Sequence, residues 1–323
     1  MPFLKPESIC PLCRKSAEFK FAIDHKNADG CFSLYECSSC LGQFWLPFKN
    51  PGAEWYGKGD AHNIKENGRP RQIHAYHNKF LALHPSLTGK LSLDLGCGTG
   101  EFMAELAIRG TLCYGTDFDK EAVEIAKNNF ALKNIFSLDF DGFFAKTDNP
   151  PFDYITCFEV FEHTDNPLKI LIEAKKLLKD NGTLAISTPG RERPLVNYSG
   201  WDYPYHHLSR WSEEAIKKML ALAGFKEVKI HYIGKYHQLY ELFLEIIARA
   251  LGFSRASGLK KISAGTGETA KIEKTVKRLL IKIIYRTGRF LGVILLPYII
   301  AGLFYPISRI FYPRAGIMYI EAK

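Results

Sequence analysis

The sequence predicts an α/β protein whose core is a doubly wound, parallel sheet. Two patterns carry this. Between residues 89 and 234, short apolar runs alternate with amphipathic segments of helical period. The first run ends in the turn Gly96-Cys97-Gly98-Thr99-Gly100 and the second ends in Asp117. The 323 residues exceed one typical domain, and 46% are hydrophobic, enough to bury a real core with attachments. The attachments divide by pattern: residues 1–48 carry cysteines and aromatics, 49–88 form a helical linker or lid, 235–313 are apolar and basic, and 314–323 supply a closing strand.

The core elements follow in order. Lys90–Leu95 is a buried strand, and Glu101–Arg109 is a helix with Phe102, Leu106 and Ala107 inward. Thr111–Thr116 is a second strand. Lys120–Asn129 is a helix that buries Ala122, Val123 and Ala126. Asn134–Leu138 and Asp153–Phe158 are the third and fourth strands. Leu168–Leu178 is a helix that Asn181-Gly182 stops. Thr183–Ser187 is the fifth strand. Ser212 caps a helix ending before Gly224, and Phe225–Ile233 is the sixth strand. Upstream, Gln72–Leu83 has helical spacing.

In such sheets ligands bind beyond the carboxyl ends of the strands. The loop Gly96-x-Gly98-x-Gly100 lies there. A dinucleotide fingerprint requires Gly-x-Gly-x-x-Gly, whereas position 101 is Glu101. A carboxylate beside a helix N-terminus disfavours a pyrophosphate. It suits a cationic ligand with no phosphate, which S-adenosylmethionine (AdoMet) is. Asp117, ending the second strand, can accept both hydroxyls of a ribose. Phe118 follows it, and Asp119 reads as the cap of the next helix.

With LSLDLGCGTGEF, YGTDFDKEAVEIAK, FDYITCFEVFEHTDNP and NGTLAISTPG in place, residues 89–234 resemble the class I AdoMet-dependent methyltransferases, the branch that includes ubiquinone-biosynthesis O-methyltransferases. The resemblance implies a seven-stranded, Rossmann-like sheet, with Gly316–Ala322 as its antiparallel last strand. It implies that Asp94, Gly96, Cys97, Gly98 and Gly100 line the methionine end of AdoMet. Asp117 would hold the ribose and Phe118 the adenine, with Asp139 or Asp141 on the adenine amino group. Phe158 and Glu159 would face the cofactor.

Methyl transfer from a sulfonium depends on alignment, and an oxygen or nitrogen acceptor also benefits from a base near pH 7. His163, after the fourth strand, is the first candidate, with His206 and His207 next. Each of these histidines could equally cap a helix or hold a loop. Asn149-Pro150-Pro151-Phe152 looks like an amino-methyltransferase motif but precedes its strand instead of closing it, so it reads as a turn. The expected reaction is O-methylation of a small-molecule, glycan or lipid-linked acceptor. An RNA methyltransferase and a non-catalytic AdoMet-binding protein are the alternatives.

Cys10-Pro-Leu-Cys13 and Cys37-Ser-Ser-Cys40 have the spacing of a four-thiolate structural zinc site, and Phe19, Phe21, Phe32 and Tyr35 read as strand residues of a small ribbon. Cys31 is a spare. The alternative is two disulfides or four free thiols.

The chain carries a formal charge of +9. Ten Lys/Arg against two acids between Arg255 and Arg289 account for nearly all of it. Beside them, Phe290–Ser308 has no charged residue. A single span across a bilayer would strand the closing strand on the wrong side. The pattern therefore predicts an insertion that docks on an anionic membrane surface, or else a helical cap or dimer interface. Met1–Cys10 has no apolar leader, so a cytoplasmic location, peripheral at the inner face of the membrane, is expected.

Overall fold

A computed structural model describes residues 5–52, 54–55, 73–193, 202–234, 295–311 and 316–323, with positions 236, 239, 240 and 243. The core is a seven-stranded sheet with helices between its strands. β4 (Leu91–Leu95) lies at its centre, flanked by β5 (Leu112–Thr116) and β7 (Phe152–Phe158). β6 (Ile135–Phe136) closes one edge beyond β5. On the other side come β8 (Leu178–Pro189), β11 (Ile317–Ala322) and β10 (Val228–Ile233). β4 pairs parallel with β5 and β7, whereas β11 runs antiparallel between β8 and β10. This is the expected seven-stranded sheet with an antiparallel last strand. β4 buries four of its five residues, which is why it reads as an apolar run and not an alternation.

Local chemistry fixes the helices. α1 (Ala75–Leu83) precedes the sheet, and α2 (Glu101–Ile108) follows β4. α3 (Lys120–Phe130) follows β5 and is capped by Asp119, whose Oδ1 accepts the Glu121 and Ala122 amides at 3.0 and 3.2 Å. A short α4 (Phe140–Phe144), absent from the sequence expectation, starts on Asp139, which accepts from the Gly142 amide at 2.7 Å. α5 (Pro167–Leu177) packs beside α6 (Glu213–Leu222), whose cap Ser212 accepts the Ala215 amide at 3.2 Å.

The expected stop at Asn181-Gly182 is corrected. α5 ends at Leu177, and Leu178 already begins β8. Phe152 pairs with Leu178 and Tyr154 with Thr183, so the extra residues are absorbed as an irregularity of the ladder. Gly182 serves close approach, because a Cβ there would stand 2.9 Å from the Phe152 carbonyl oxygen.

Residues 5–52 fold as β1 (Phe19–Asn27), β2 (Gly30–Cys37) and β3 (Gln43–Leu46). A fourth strand of this small sheet comes from the core segment after β8, as β9 (Ser209–Arg210) pairs antiparallel with β3.

Of the apolar insertion, α7 (Leu295–Phe311) is described. Ala301 is fully buried, while Tyr298, Ile299, Leu303, Phe304 and Ile310 are exposed. Tyr236 bonds the Tyr298 carbonyl at 2.7 Å, and Phe243 packs against Phe304. Among the described residues no helix is long and apolar enough to cross a membrane. The basic stretch Arg255–Arg289 and most of Tyr240–Leu251 lie outside the described residues.

Candidate functional site

The parallel strands β4, β5 and β7 bring their carboxyl ends to one side of the sheet. After β4 the chain turns sharply, and Gly96 has φ of 76°. A Cβ on Gly96 would stand 2.4 Å from Val160 Cγ2, so only glycine fits there. The Gly96 and Cys97 amides donate to the Thr116 carbonyl at 2.8 and 3.1 Å, tying the loop to β5. Gly100 (φ 79°) is the N-cap of α2, and a Cβ on it would meet Ala126 and Leu132 at 2.8 Å.

Asp117 stands across this loop. Its Oδ2 accepts the Gly98 amide at 2.9 Å and its Oδ1 accepts the Asp119 amide at 2.8 Å. Each carboxylate oxygen has a second lone pair, so the group can still accept ligand hydroxyls. Phe118 beside it is 37% exposed. Asp94 is buried at the end of β4 and accepts the Thr156 hydroxyl at 2.6 Å. Burial pushes its carboxyl up to about 7, partly opposed by the Thr156 bond. Phe158 packs against Tyr76 of α1 at 5.4 Å between centroids and against Phe102 of α2 at 5.4 Å. Burial raises the Tyr76 phenol, and the charges of Glu159, Glu162 and Asp94 add to it. Asp139 spends one oxygen capping α4, as described above.

Beyond β7 a second cluster forms. Glu159 holds φ of 54°, a left-handed conformation that strains any side chain other than glycine. Its amide donates to the Ser187 carbonyl at 3.0 Å, and the Ser187 hydroxyl donates to its Oε1 at 2.9 Å. Burial pushes its carboxyl up to about 7. A 3-10 turn, Phe161–His163, follows. Glu162 is 2% exposed, and its Oε1 lies 3.9 Å from His163 Nε2 and 4.0 Å from His207 Nε2. Its Oε2 has no hydrogen-bond partner among the described residues. Burial drives the Glu162 carboxyl well above its usual range, and the charge of Glu159 adds to this. The rings of His163 and His207 stand 5.1 Å apart. His207 Nδ1 lies 3.4 Å from Asp202 Oδ1, and Arg193 contacts the same Asp202 oxygen. Burial lowers His163 to about 3, with the charge of His207 adding, so the ring is neutral throughout the physiological range.

The structure therefore brings His163 and His207 together, while the His206 ring packs edge-on against Trp55. The sequence motifs contain Glu162 next to His163 but single out neither it nor Asp202 nor Tyr76. Glu162 was legible, because a carboxylate beside a histidine at a strand end is a recognisable pair. Asp202 was not, because it meets His207 through a loop with no periodic pattern.

The four cysteines form a separate centre. Cys10 and Cys40 sulfurs are 4.0 Å apart, as are those of Cys13 and Cys37, and all four lie within 4.8 Å of one another. A disulfide needs about 2.0 Å. A tetrahedral zinc with Zn–S of about 2.3 Å sets sulfurs about 3.8 Å apart, so the residues fit that ion. The two knuckles share one turn: the Arg14 amide donates to Cys10 O and the Leu41 amide to Cys37 O, both at 2.9 Å, with φ of 59° and 61°. Cys31 lies outside the cluster.

A family model described as "Methyltransferase domain" matches residues 66–230, just over half of the chain. The chain is 38% identical over 112 residues to a ubiquinone biosynthesis O-methyltransferase of Glaesserella parasuis serovar 5 (strain SH0165), spanning 32% of this chain and 48% of that protein. It is 27% identical over 175 residues to the protein of the same name from Coxiella burnetii (strain Dugway 5J108-111), covering 48% of this chain and 72% of the other. The chain thus spans about half the length of the first of these relatives. Among solved structures, a SAM dependent methyltransferase from Archaeoglobus fulgidus aligns with TM-score 0.46 and 19% identity, over 76% of this chain and 92% of that one.

Proposed function

This chain belongs to the methyltransferase domain family, and on that premise we propose that it transfers a methyl group from AdoMet to an oxygen of a small-molecule, glycan or lipid-linked acceptor. The observation that carries the reading is the glycine loop closed by Asp117, with the Glu162–His163–His207 cluster at the adjoining strand end. AdoMet, when bound, supplies a methyl on a sulfonium that is already a good leaving group. Asp117 would hold the ribose hydroxyls, Phe118 would lie by the adenine, and Asp94 with Gly96, Cys97, Gly98 and Gly100 would line the methionine end. Asp139, with Asp141 as its alternative, is the adenine-side acid, and Phe158 and Glu159 border the cofactor. His163 is the first candidate to take up the acceptor proton; burial makes the ring a weak base, so this role requires the neighbouring Glu162 carboxylate to raise its affinity for the proton. Glu162, 3.9 Å from its Nε2, is placed to stabilise the imidazolium that results. His207, oriented by Asp202, is the second candidate, and His206 the third. Incubating the protein with labelled AdoMet and separated lipid, small-molecule and RNA fractions tests the reading. Label entering only RNA would overturn it in favour of the RNA alternative.

A second reading of the same cluster is favoured by Glu162 Oε2, buried and without a hydrogen-bond partner among the described residues. Glu162, His163 and His207 present ligand atoms within 4.8 Å of one another, a set that a divalent cation can take. Brief EDTA treatment followed by Mg²⁺ or Mn²⁺ decides it. Activity lost and restored in this way, with zinc retained, supports a cation there. Activity indifferent to EDTA removes it.

Cys10, Cys13, Cys37 and Cys40 hold a structural zinc in this reading. Metal analysis should return about one zinc per chain. Cys37→Ser should lose it and Cys31→Ser should keep it.

The insertion is read as a peripheral membrane contact. α7 exposes Tyr298, Ile299, Leu303, Phe304 and Ile310 beside the basic stretch of the sequence. Because β11 returns to the sheet, the chain leaves and re-enters the core on one side. The full-length protein should float with anionic vesicles, and Leu303→Glu with Ile310→Glu should abolish flotation. Protein that stays at the bottom of the gradient in low salt would count against membrane contact.

A further inference from the structure

The four-cysteine module and the acceptor-side cluster share one seam. β3 lies between β2 and β9, with Gln43 opposite Arg210 and Phe44 opposite Ser209. The Trp45 amide donates to the Leu208 carbonyl at 2.9 Å, and the Leu208 amide donates to the Glu162 carbonyl at 2.9 Å. The Trp45 indole N–H donates to the Asp202 carbonyl at 3.2 Å, which the Arg210 guanidinium also reaches at 2.9 Å. That guanidinium lies 5.1 Å from the Trp45 ring and 5.5 Å from Tyr203. Asn50 Nδ2 donates to the His163 carbonyl at 2.8 Å. Both acceptor-side histidines are thus approached from the module, one through Asn50 and one through Asp202.

The knuckles themselves press on the same segment. A Cβ on Gly42 would stand 2.5 Å from Leu12 Cδ1, 3.3 Å from Trp211 Cζ3 and 3.5 Å from Cys40 Sγ. Leu12 lies inside the first knuckle, and Trp211 directly follows β9. The cysteines and Trp211 share one buried cluster with Leu93 and Ile155 of the central sheet. The glycine loop, by contrast, is tied to its own neighbours, Thr116 and Asp117.

We propose that the four-cysteine module is the positioning scaffold of the acceptor side: the metal-held knuckles fix the β3–β9 ladder, and that ladder sets His163, His207 and Asp202. This rests on the zinc and acceptor readings given above. Its specific consequence is that the module governs acceptor geometry without governing cofactor binding.

Hydrogen exchange on the full-length protein tests it, before and after chelation, with zinc content measured in parallel. Zinc loss should speed amide exchange across 202–211 by about tenfold or more, and leave 91–119 unchanged. Affinity for S-adenosylhomocysteine by calorimetry should stay within about threefold. Trp45→Phe, which removes the indole N–H and shrinks the buried ring at the seam, should loosen 202–211 with zinc still bound. Unchanged protection of 202–211 in both arms would overturn the proposal. So would loss of protection at 91–119 in step with lost affinity, since the module would then staple the whole fold. If metal analysis finds no zinc, the zinc reading fails by itself, and Trp45→Phe alone decides the scaffold.

Discussion

Asp117→Ala should weaken AdoMet binding by about 100-fold or more while the protein stays folded. On the proposed reading the carboxylate would accept two ribose hydroxyls, and a hydrogen bond to a charged group contributes about 1.5–3 kcal/mol. Each 1.4 kcal/mol is about tenfold in affinity, so losing both bonds gives a factor on this order. The variant also removes the acceptor of the Gly98 amide, which frees the glycine loop. Asp117→Asn keeps the shape and one acceptor oxygen but loses the charge, and should fall between. Calorimetry with AdoMet and S-adenosylhomocysteine measures both. An affinity within about threefold of the parent would remove Asp117 from the cofactor site.

His163→Ala should act on the other half of the reaction. General-base assistance contributes about 10²- to 10⁴-fold, so turnover on the acceptor should fall into that range. AdoMet affinity should change by less than about twofold, because His163 stands beyond β7 in the second cluster and not on the glycine loop. Asp202→Asn should cost less, since it acts through the orientation of His207. Unchanged turnover in His163→Ala would pass the proton to another group. Glu159, at about 7, is the next to test.

Much of the fold could be read from the chain because its determinants are local. Asp119 and Ser212 were legible as caps, since each sits directly before its helix. The glycine loop was legible because left-handed backbone at Gly96 and Gly100 tolerates no other residue well. Gly182 misled for the same reason in reverse. It resembles a helix stop, but its smallness serves the approach of two strands that only the folded sheet brings together. β9 is two residues long and depends wholly on β3, some 165 residues earlier in the chain, so no local pattern marks it. The Glu162–His163–His207 cluster divides along the same line. His163 lies in the turn after its own strand, while Asp202 and Arg193 join it only because the segment carrying His207 folds back onto that turn, the Leu208 amide donating to the Glu162 carbonyl.

The position of β11 bears on how the molecule is made. It fills the slot between β8 and β10 and pairs with both. Some 80 residues separate it in sequence from β10. Until residues 317–322 leave the ribosome, β8 and β10 each present an unpaired edge, and unpaired edges template association with other chains. Closing so long a loop is slow more than it is costly, because each doubling of loop length adds only about 0.6 kcal/mol. Synthesis of this protein therefore passes through a stage with five core strands in place and a sixth waiting. A chaperone, or a membrane surface that sequesters the insertion, would find its substrate at that stage.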